Sequence, residues 1–268
     1  MILISLAVSF FLYWLILHDK KNDPFPKRGL LRLLIAGAVS VLLASILMVP
    51  ISGMILMIRY GVFKDISIWM QAVEDGSEAL AALIQETVRN NPATFLTNLS
   101  SMFFSAGLLE EGLKYLTCRI AVRKEGMIRT WMDSAAVFAV VGITFEMLEN
   151  VLYGVGSGIV SIIARALAPA HFAFGVVMGY FYGKYLISGE KKYKRLSVAI
   201  PVTLHTLSNA FAMSMDLGPF FHVLGTVSGI SRIVLSLLAV VIVIRWQKQR
   251  MLDIPVPQKT DEPGISSS

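Results

Sequence analysis

The sequence predicts an all-α fold: a polytopic membrane helical bundle of about seven transmembrane helices, N-terminus outside and C-terminus inside. Three observations carry that reading. Hydrophobic residues make up 55% of the 268 residues and mean hydropathy is +0.67. Charged residues are 16%, where a soluble domain holds about 25%. Finally, several apolar runs reach the length of about 20 residues that a bilayer core demands, and Lys and Arg alternate between successive loops as topology rules require.

The segments follow in order. Run 2–17 has no basic residue before it and no A-x-A site after it, so it reads as a span rather than a cleaved leader. Its basic residues come afterwards, which places its N-terminus outside. Runs 31–58, 95–118, 134–153, 159–187, 197–215 and 221–244 complete the set. Arg59, Lys64 and Arg89 are the only basic residues in the expected external loops. Apart from Lys114, Arg165 and Arg232, which lie in or at the ends of spans, every other Lys and Arg falls in an expected cytoplasmic loop or the C-terminal tail. The net charge of +6 is thereby explained by topology, and no nucleic-acid partner is expected. The expected partner is the lipid bilayer.

Between the second and third spans, 60–93 carries Trp69, Val73, Leu80, Leu83, Ile84 and Val88 at helical spacing. This predicts an amphipathic helix broken at Gly76, lying on the outer interface or packed on the bundle. Residues 1–252 read as one membrane domain, and the Pro- and Ser-rich stretch 253–268 as a disordered cytoplasmic tail. The single cysteine, Cys118, excludes an intrachain disulfide. No internal repeat is evident. The 13 methionines read as packing residues, and His18 and His222 as interfacial.

Ionisable groups at membrane depth are rare, since each costs about 2.5–3.5 kcal/mol on insertion scales. Here four spans carry six of them: Glu110 and Glu111, Glu146 and Glu149, His171, and His205. Such a concentration points to a buried polar site. On the third span Lys114 lies i+4 from Glu110 and i+3 from Glu111, so it can neutralise one of them. Adjacent residues on an α-helix point about 100° apart, so the two carboxylates should differ in role, one held charged and the other a candidate general base. A structural ion pair pinning helices is the bland alternative. Glu146 and Glu149 share a face that Asn150 extends. Pro169 should kink the fifth span beside His171, and Arg165 is placed to snorkel or to pair with Glu146. His205 and Asn209 share one face of the sixth span.

Two histidines with a carboxylate form a donor set that catalytic Zn²⁺ takes, leaving one position for water. The same residues can work without metal, a glutamate activating water while His205 and Asn209 stabilise an oxyanion. A proton or ion path is also rich in buried Glu and His. A proton-coupled transporter of that kind often shows inverted repeats, which are absent here. A scaffold whose buried charges lock helix register is the third alternative.

At these residues the sequence resembles the PrsW family of intramembrane proteases, within the wider group that includes the CAAX prenyl endopeptidases. The motifs are Glu110-Glu111-x-x-Lys114, Phe145-Glu146-x-x-Glu149-Asn150, His171 with Phe174-Gly175, and His205-x-x-x-Asn209. They stand in the same order on successive spans. The loop Asp19–Arg28 (DKKNDPFPKR) also looks like the family's first cytoplasmic loop, and the resemblance covers about residues 20–215. It implies a multi-pass protease of a bacterial inner membrane that cuts a peptide bond at or near the bilayer. The implied substrate is a single-span anti-sigma factor, cut on its extracytoplasmic side as the first step of a regulatory cascade. By the same resemblance Glu110 or Glu111 activates water. His171, His205 and Glu149 bind Zn²⁺ or shape the oxyanion site, with Lys114, Glu146 and Asn150 in support. In the CAAX enzymes the second motif ends in His; here Glu149 stands there, which argues against prenyl-protein processing. Neither HExxH nor GxSxG occurs, so zincin- or serine-type chemistry is disfavoured.

Overall fold

The computed structural model describes residues 2–18, 25–59, 61–62, 64–90, 94–123, 127–128, 130–154, 163 and 165–249. The proposed tail 253–268 and most of the loop 19–28 lie outside them. Among the described residues there is no strand. Helix α1 (Ile2–Leu17) is followed by α2 (Lys27–Arg59), which carries Pro50, then α3 (Ile66–Glu74) and α4 (Ser77–Asn90). Next, α5 (Phe95–Met102) runs through a π-helical stretch, Phe103–Glu110, into α6 (Glu111–Val122). Then come α7 (Trp131–Gly154), α8 (Ala170–Ser188), α9 (Lys191–Met213), a 3₁₀ turn and α10 (Pro219–Gln249). By length and composition α2, α7, α9 and α10 can each cross a membrane, and α1 is a shorter apolar helix. Their outward faces bear large apolar side chains such as Leu3, Phe10, Leu42, Val227 and Leu237. A contiguous surface of that kind suits lipid.

Start and stop signals are local. Thr130 and Asp133 form a reciprocal N-terminal cap on α7: the Thr130 N–H donates to Asp133 Oδ2 (2.7 Å) and the Asp133 N–H to Thr130 Oγ1 (3.1 Å). The other oxygen of Asp133 accepts from Trp246 Nε1 (2.9 Å), which ties the far end of α10 to the start of α7. Thr94 caps α5 through the Thr97 N–H (3.3 Å). The expected break at Gly76 is present, with φ +103° between α3 and α4, a backbone region glycine enters without Cβ penalty. These two short helices pack mainly against each other.

The expected kink at Pro169 is corrected: residues 165–167 are helical, Ala168 and Pro169 are not, and Pro169 is the N-cap residue of α8, which starts at Ala170; 159–162 and 164 lie outside the described residues. A proline is tolerated at a helix start because no intrahelical N–H is needed there.

The centre of the bundle is the pair α7 and α8, in closer contact than any other two elements. Glycines set their distance. A Cβ on Gly175, Gly179 or Gly183 would fall 2.5, 2.3 and 2.2 Å from the carbonyl oxygens of Phe138, Ser134 and Trp131. On α7, a Cβ on Gly142 would fall 2.2 Å from the His171 carbonyl oxygen. This is a small-residue stripe that lets two backbones touch. Replacing Gly179 by valine should therefore force α7 and α8 apart and cost about 1–3 kcal/mol or more. The check is the melting temperature in detergent. Gly229→Ala, where a Cβ meets nothing within 4 Å, is expected to leave it unchanged or slightly raised.

Candidate active site

Five elements bring their polar residues to one place. The π-helical stretch ends at Glu110 and α6 begins at Glu111, so the two adjacent carboxylates sit at a change of helical winding. Gly107, within that stretch, approaches α9 so closely that a Cβ would lie 2.1 Å from Thr206 Oγ1 and 3.0 Å from the Val202 carbonyl oxygen. This approach places Glu110 and Glu111 beside His205, one residue before Thr206. Helix α7 supplies Glu146 and Glu149, and α8 supplies His171 from its first turn.

Lys114 sits at the middle of the cluster. Its Nζ donates to Glu111 Oε1 (2.7 Å) and to His171 Nδ1 (2.6 Å). Of the two carboxylates within its reach it takes Glu111; both residues are essentially unexposed, 0% for Glu111 and 2% for Lys114. An ammonium is donor only, so Nδ1 accepts and the His171 proton sits on Nε2, which donates to Glu149 Oε2 (2.8 Å). Glu111 Oε1 also accepts from His205 Nδ1 (2.8 Å). That leaves His205 Nε2 with its lone pair, 3.1 Å from Asn209 Nδ2. The Phe145 ring covers Lys114 from 4.4 Å and stacks on His171 at 4.7 Å.

Glu146 plays a different part from the one expected. Its Oε2 accepts the backbone N–H of His171 (2.7 Å), so it satisfies an open donor at the start of α8. Being so engaged, it is not the partner of Arg165. The guanidinium of Arg165 instead pairs with Glu149 Oε2 and donates from Nε to Asn150 Oδ1 (2.6 Å). Asn150 in turn donates to Ser5 on α1 (2.7 Å). Ser5 and the glycine stripe are participants that residue type alone does not flag. The sequence signal for the stripe is the repeat Gly175-x-x-x-Gly179-x-x-x-Gly183. His222, expected at an interface, stays outside the cluster on α10.

Two carboxylate oxygens of the cluster are left without a hydrogen-bond donor, Glu111 Oε2 beside Lys114 and Glu110 Oε2 on the residue that lines the cavity. Among the described residues Glu110 Oε2 is buried without a hydrogen-bond partner; His171 Nε2 lies 3.9 Å from it. Ligand atoms of Glu110, His171 and His205 all lie within 4.8 Å of one another. This His₂Glu set fits a zinc-type ion, and Glu111 behind His205 is the outer carboxylate that fixes a ligating imidazole's tautomer. The expected third ligand, Glu149, is also beside His171 but is engaged by Arg165. A cavity of about 380 Å³ reaches the cluster, with Glu110, Glu149 and Phe145 on one side and α2 residues on the other.

The chain matches the family described as PrsW family intramembrane metalloprotease over residues 26–245. Among curated proteins it is similar to "Protease PrsW" of Bacillus subtilis (strain 168), 37% identical over 108 residues, which are 38% of this chain and 50% of the relative. It is also similar to "Protease PrsW" of Shouchella clausii (strain KSM-K16), 32% identical over 128 residues, 46% of this chain and 57% of the relative. A third, of Geobacillus kaustophilus (strain HTA426), is 35% identical over 107 residues, 38% of this chain and 48% of the relative. The chain thus spans about half the length of the curated relatives it matches. No solved structure matches it.

The buried pair gives a stability test. Lys114→Met leaves the Glu111 charge uncompensated in the interior and should cost about 3–5 kcal/mol, read as a large drop in melting temperature. Lys114→Met combined with Glu111→Gln should recover part of that loss, because the stranded charge is gone.

Proposed function

The chain belongs to the PrsW family of intramembrane metalloproteases, and from that premise we propose that it hydrolyses a peptide bond of a single-span membrane protein. The observation that carries the reading is the uncommitted oxygen of Glu110, buried, cavity-facing and beside two histidines. In this reading residues 1–252 form one domain crossing a bacterial inner membrane seven times, with the N-terminus outside. The site then lies toward the outer face, since it is built from the C-terminal half of α7 and the first turn of α8. The substrate class is an anti-sigma factor, cut on its extracytoplasmic side to start release of a sigma factor.

Glu110 and His205 would hold the metal, joined by His171 once its Nε2 proton passes to Glu149. A bound zinc-type ion supplies Lewis-acid polarisation and a reactive water at neutral pH. The chain's own residues do the rest. Glu111, itself held by Lys114, orients His205 through Nδ1. Glu149 is the second carboxylate on the cavity, paired with Arg165, and it accepts the proton of the attacking water. Asn209 presents its amide N–H beside His205 Nε2, where an oxyanion can be met. Phe145 and Phe174 flank the imidazoles and exclude bulk water. The free oxygen of Glu110 also supports a second, metal-independent reading in which Glu110 takes the water's proton and the Asn209 amide, held beside His205, donates to the oxyanion.

Glu110→Gln, His171→Ala and His205→Ala should each lower release of the substrate's outer fragment by about 10²–10⁴-fold while the protein still inserts. His222→Ala should leave release near the wild-type level. The check is comparative proteomics of shed fragments from cells carrying each variant. Elemental analysis of purified protein separates the two readings: about one zinc per chain, lost in His171→Ala/His205→Ala, supports the metal set. A metal-free preparation that still cleaves assigns the chemistry to Glu110 alone.

A further inference from the structure

Helices α2 and α6 lie side by side, and the start of α2 meets the end of α6. Between them runs a groove of about 430 Å³, which shares no lining residue with the cavity at Glu110. Its walls are apolar, with Ile35 and Val39 on α2 and Ile120 and Ala121 on α6. Ile35, Val39 and Ile120 are 51%, 38% and 60% exposed, so the groove opens onto the outer surface of the bundle. Its one charged lining residue is Arg32, and no described acid lines it. Lys27 and Arg28 precede Arg32 on α2, and Arg123 follows the last residue of α6; all three are exposed. The levels of these residues match a lipid. A helix of 33 residues is about 50 Å long. Centred on a hydrocarbon core of about 30 Å, it leaves about 10 Å at each end in the headgroup layer. Arg32 lies about 7.5 Å from the first residue of α2 and falls in that layer. Ile35 and Val39, about 12 and 18 Å along, fall in the hydrocarbon.

We infer that this groove is a binding site for one anionic phospholipid, with the phosphate on Arg32, Arg28 and Arg123 and an acyl chain laid between α2 and α6. The inference does not depend on the proteolytic reading above. Basic pockets between membrane helices hold anionic headgroups, and the planar fork of arginine matches a phosphate. The positive end of α2 adds to the attraction. A zwitterionic headgroup brings an ammonium of its own, which four clustered cations repel, so the charge selects the anionic class. Thr117, at the inner end of the groove on α6, is no competitor for the chain: its hydroxyl donates to the carbonyls of Leu113 and Lys114 (2.9 and 3.3 Å). It stands one turn from Lys114, so a lipid seated in the groove braces the helix that carries Glu111 and Lys114 against α2.

The test is native mass spectrometry of the full chain taken from micelles that hold equal amounts of phosphatidylglycerol and phosphatidylcholine. The expected result is one phosphatidylglycerol retained per chain in preference to phosphatidylcholine. Arg32→Gln and Arg28→Gln should each lower that retention about fivefold, and Arg32→Lys should keep most of it. Val39→Trp, which leaves every charge in place and fills the groove, should lower it as well. Arg59→Gln, at the opposite end of α2, should leave it unchanged. Should Arg32→Gln fail to fold, Arg28→Gln and Val39→Trp decide the matter. Equal retention of the two lipids overturns the inference, and so does retention that falls with Arg59→Gln as much as with Arg28→Gln. Retention that survives Val39→Trp but is displaced by excess inorganic phosphate overturns it too, since the arginines then hold a bare anion and the groove holds no chain.

Discussion

The hydrogen bonds of Lys114 hold the site together. One ammonium on α6 reaches a carboxylate on its own helix and an imidazole on α8, and the same carboxylate oxygen reaches an imidazole on α9. Three helices are thereby joined through a single buried charge pair. An unpaired charge there would cost several kcal/mol, so the pair is demanded by burial as well as by geometry. It also decides proton positions: because lysine only donates, His171 must carry its proton on Nε2, and because a carboxylate only accepts, His205 must carry its own on Nδ1. The two imidazoles are thus presented in opposite tautomers, His171 as a donor to Glu149 and His205 as an acceptor from Asn209.

That network needs backbones brought to within ångströms of each other, and glycine does this in two places. The stripe on α8 lets the helix lie against the carbonyls of α7, which is how the N–H of His171 comes within reach of Glu146. Gly107 does the same for the π-helical stretch against α9. Single π turns cluster at functional positions because they re-aim side chains without ending the helix. Here the change in winding falls between two adjacent glutamates. One turns inward to Lys114 and the other toward the cavity.

The helical membrane class, the break at Gly76 and the membership of the polar cluster are legible in the sequence because each rests on a local rule: hydropathy over a bilayer's length, the freedom of glycine at positive φ, and the cost of charge in lipid. The i, i+3 spacing of Glu111 and Lys114 likewise foretells their bond. Which glutamate faces the cavity is not legible, since an α-helical angle between neighbours does not apply where the winding changes, and the π stretch Phe103–Glu110 has no residue signature. Run 159–187 reads as one span because a hydropathy window averages across Pro169, whereas the proline marks where α8 starts. Arg165 pairs with Glu149 rather than Glu146 because the start of α8 claims Glu146, a competition that spacing along α7 cannot reveal.

Counting charges shows where the site is incomplete. Glu111 is balanced by Lys114 and Glu149 by Arg165. Glu146 takes a backbone N–H at the positive end of a helix and feels Arg232 on α10. Glu110 has no cation of its own among the described residues, and its Oε2 has no hydrogen-bond donor. A carboxylate so placed is stable only if a proton, a metal ion or a substrate N–H comes to it. Glu111 Oε2 also lacks a hydrogen-bond donor, but the charge of Glu111 is met by Lys114. The unmet charge of Glu110 sits on the cavity between α2 and α7.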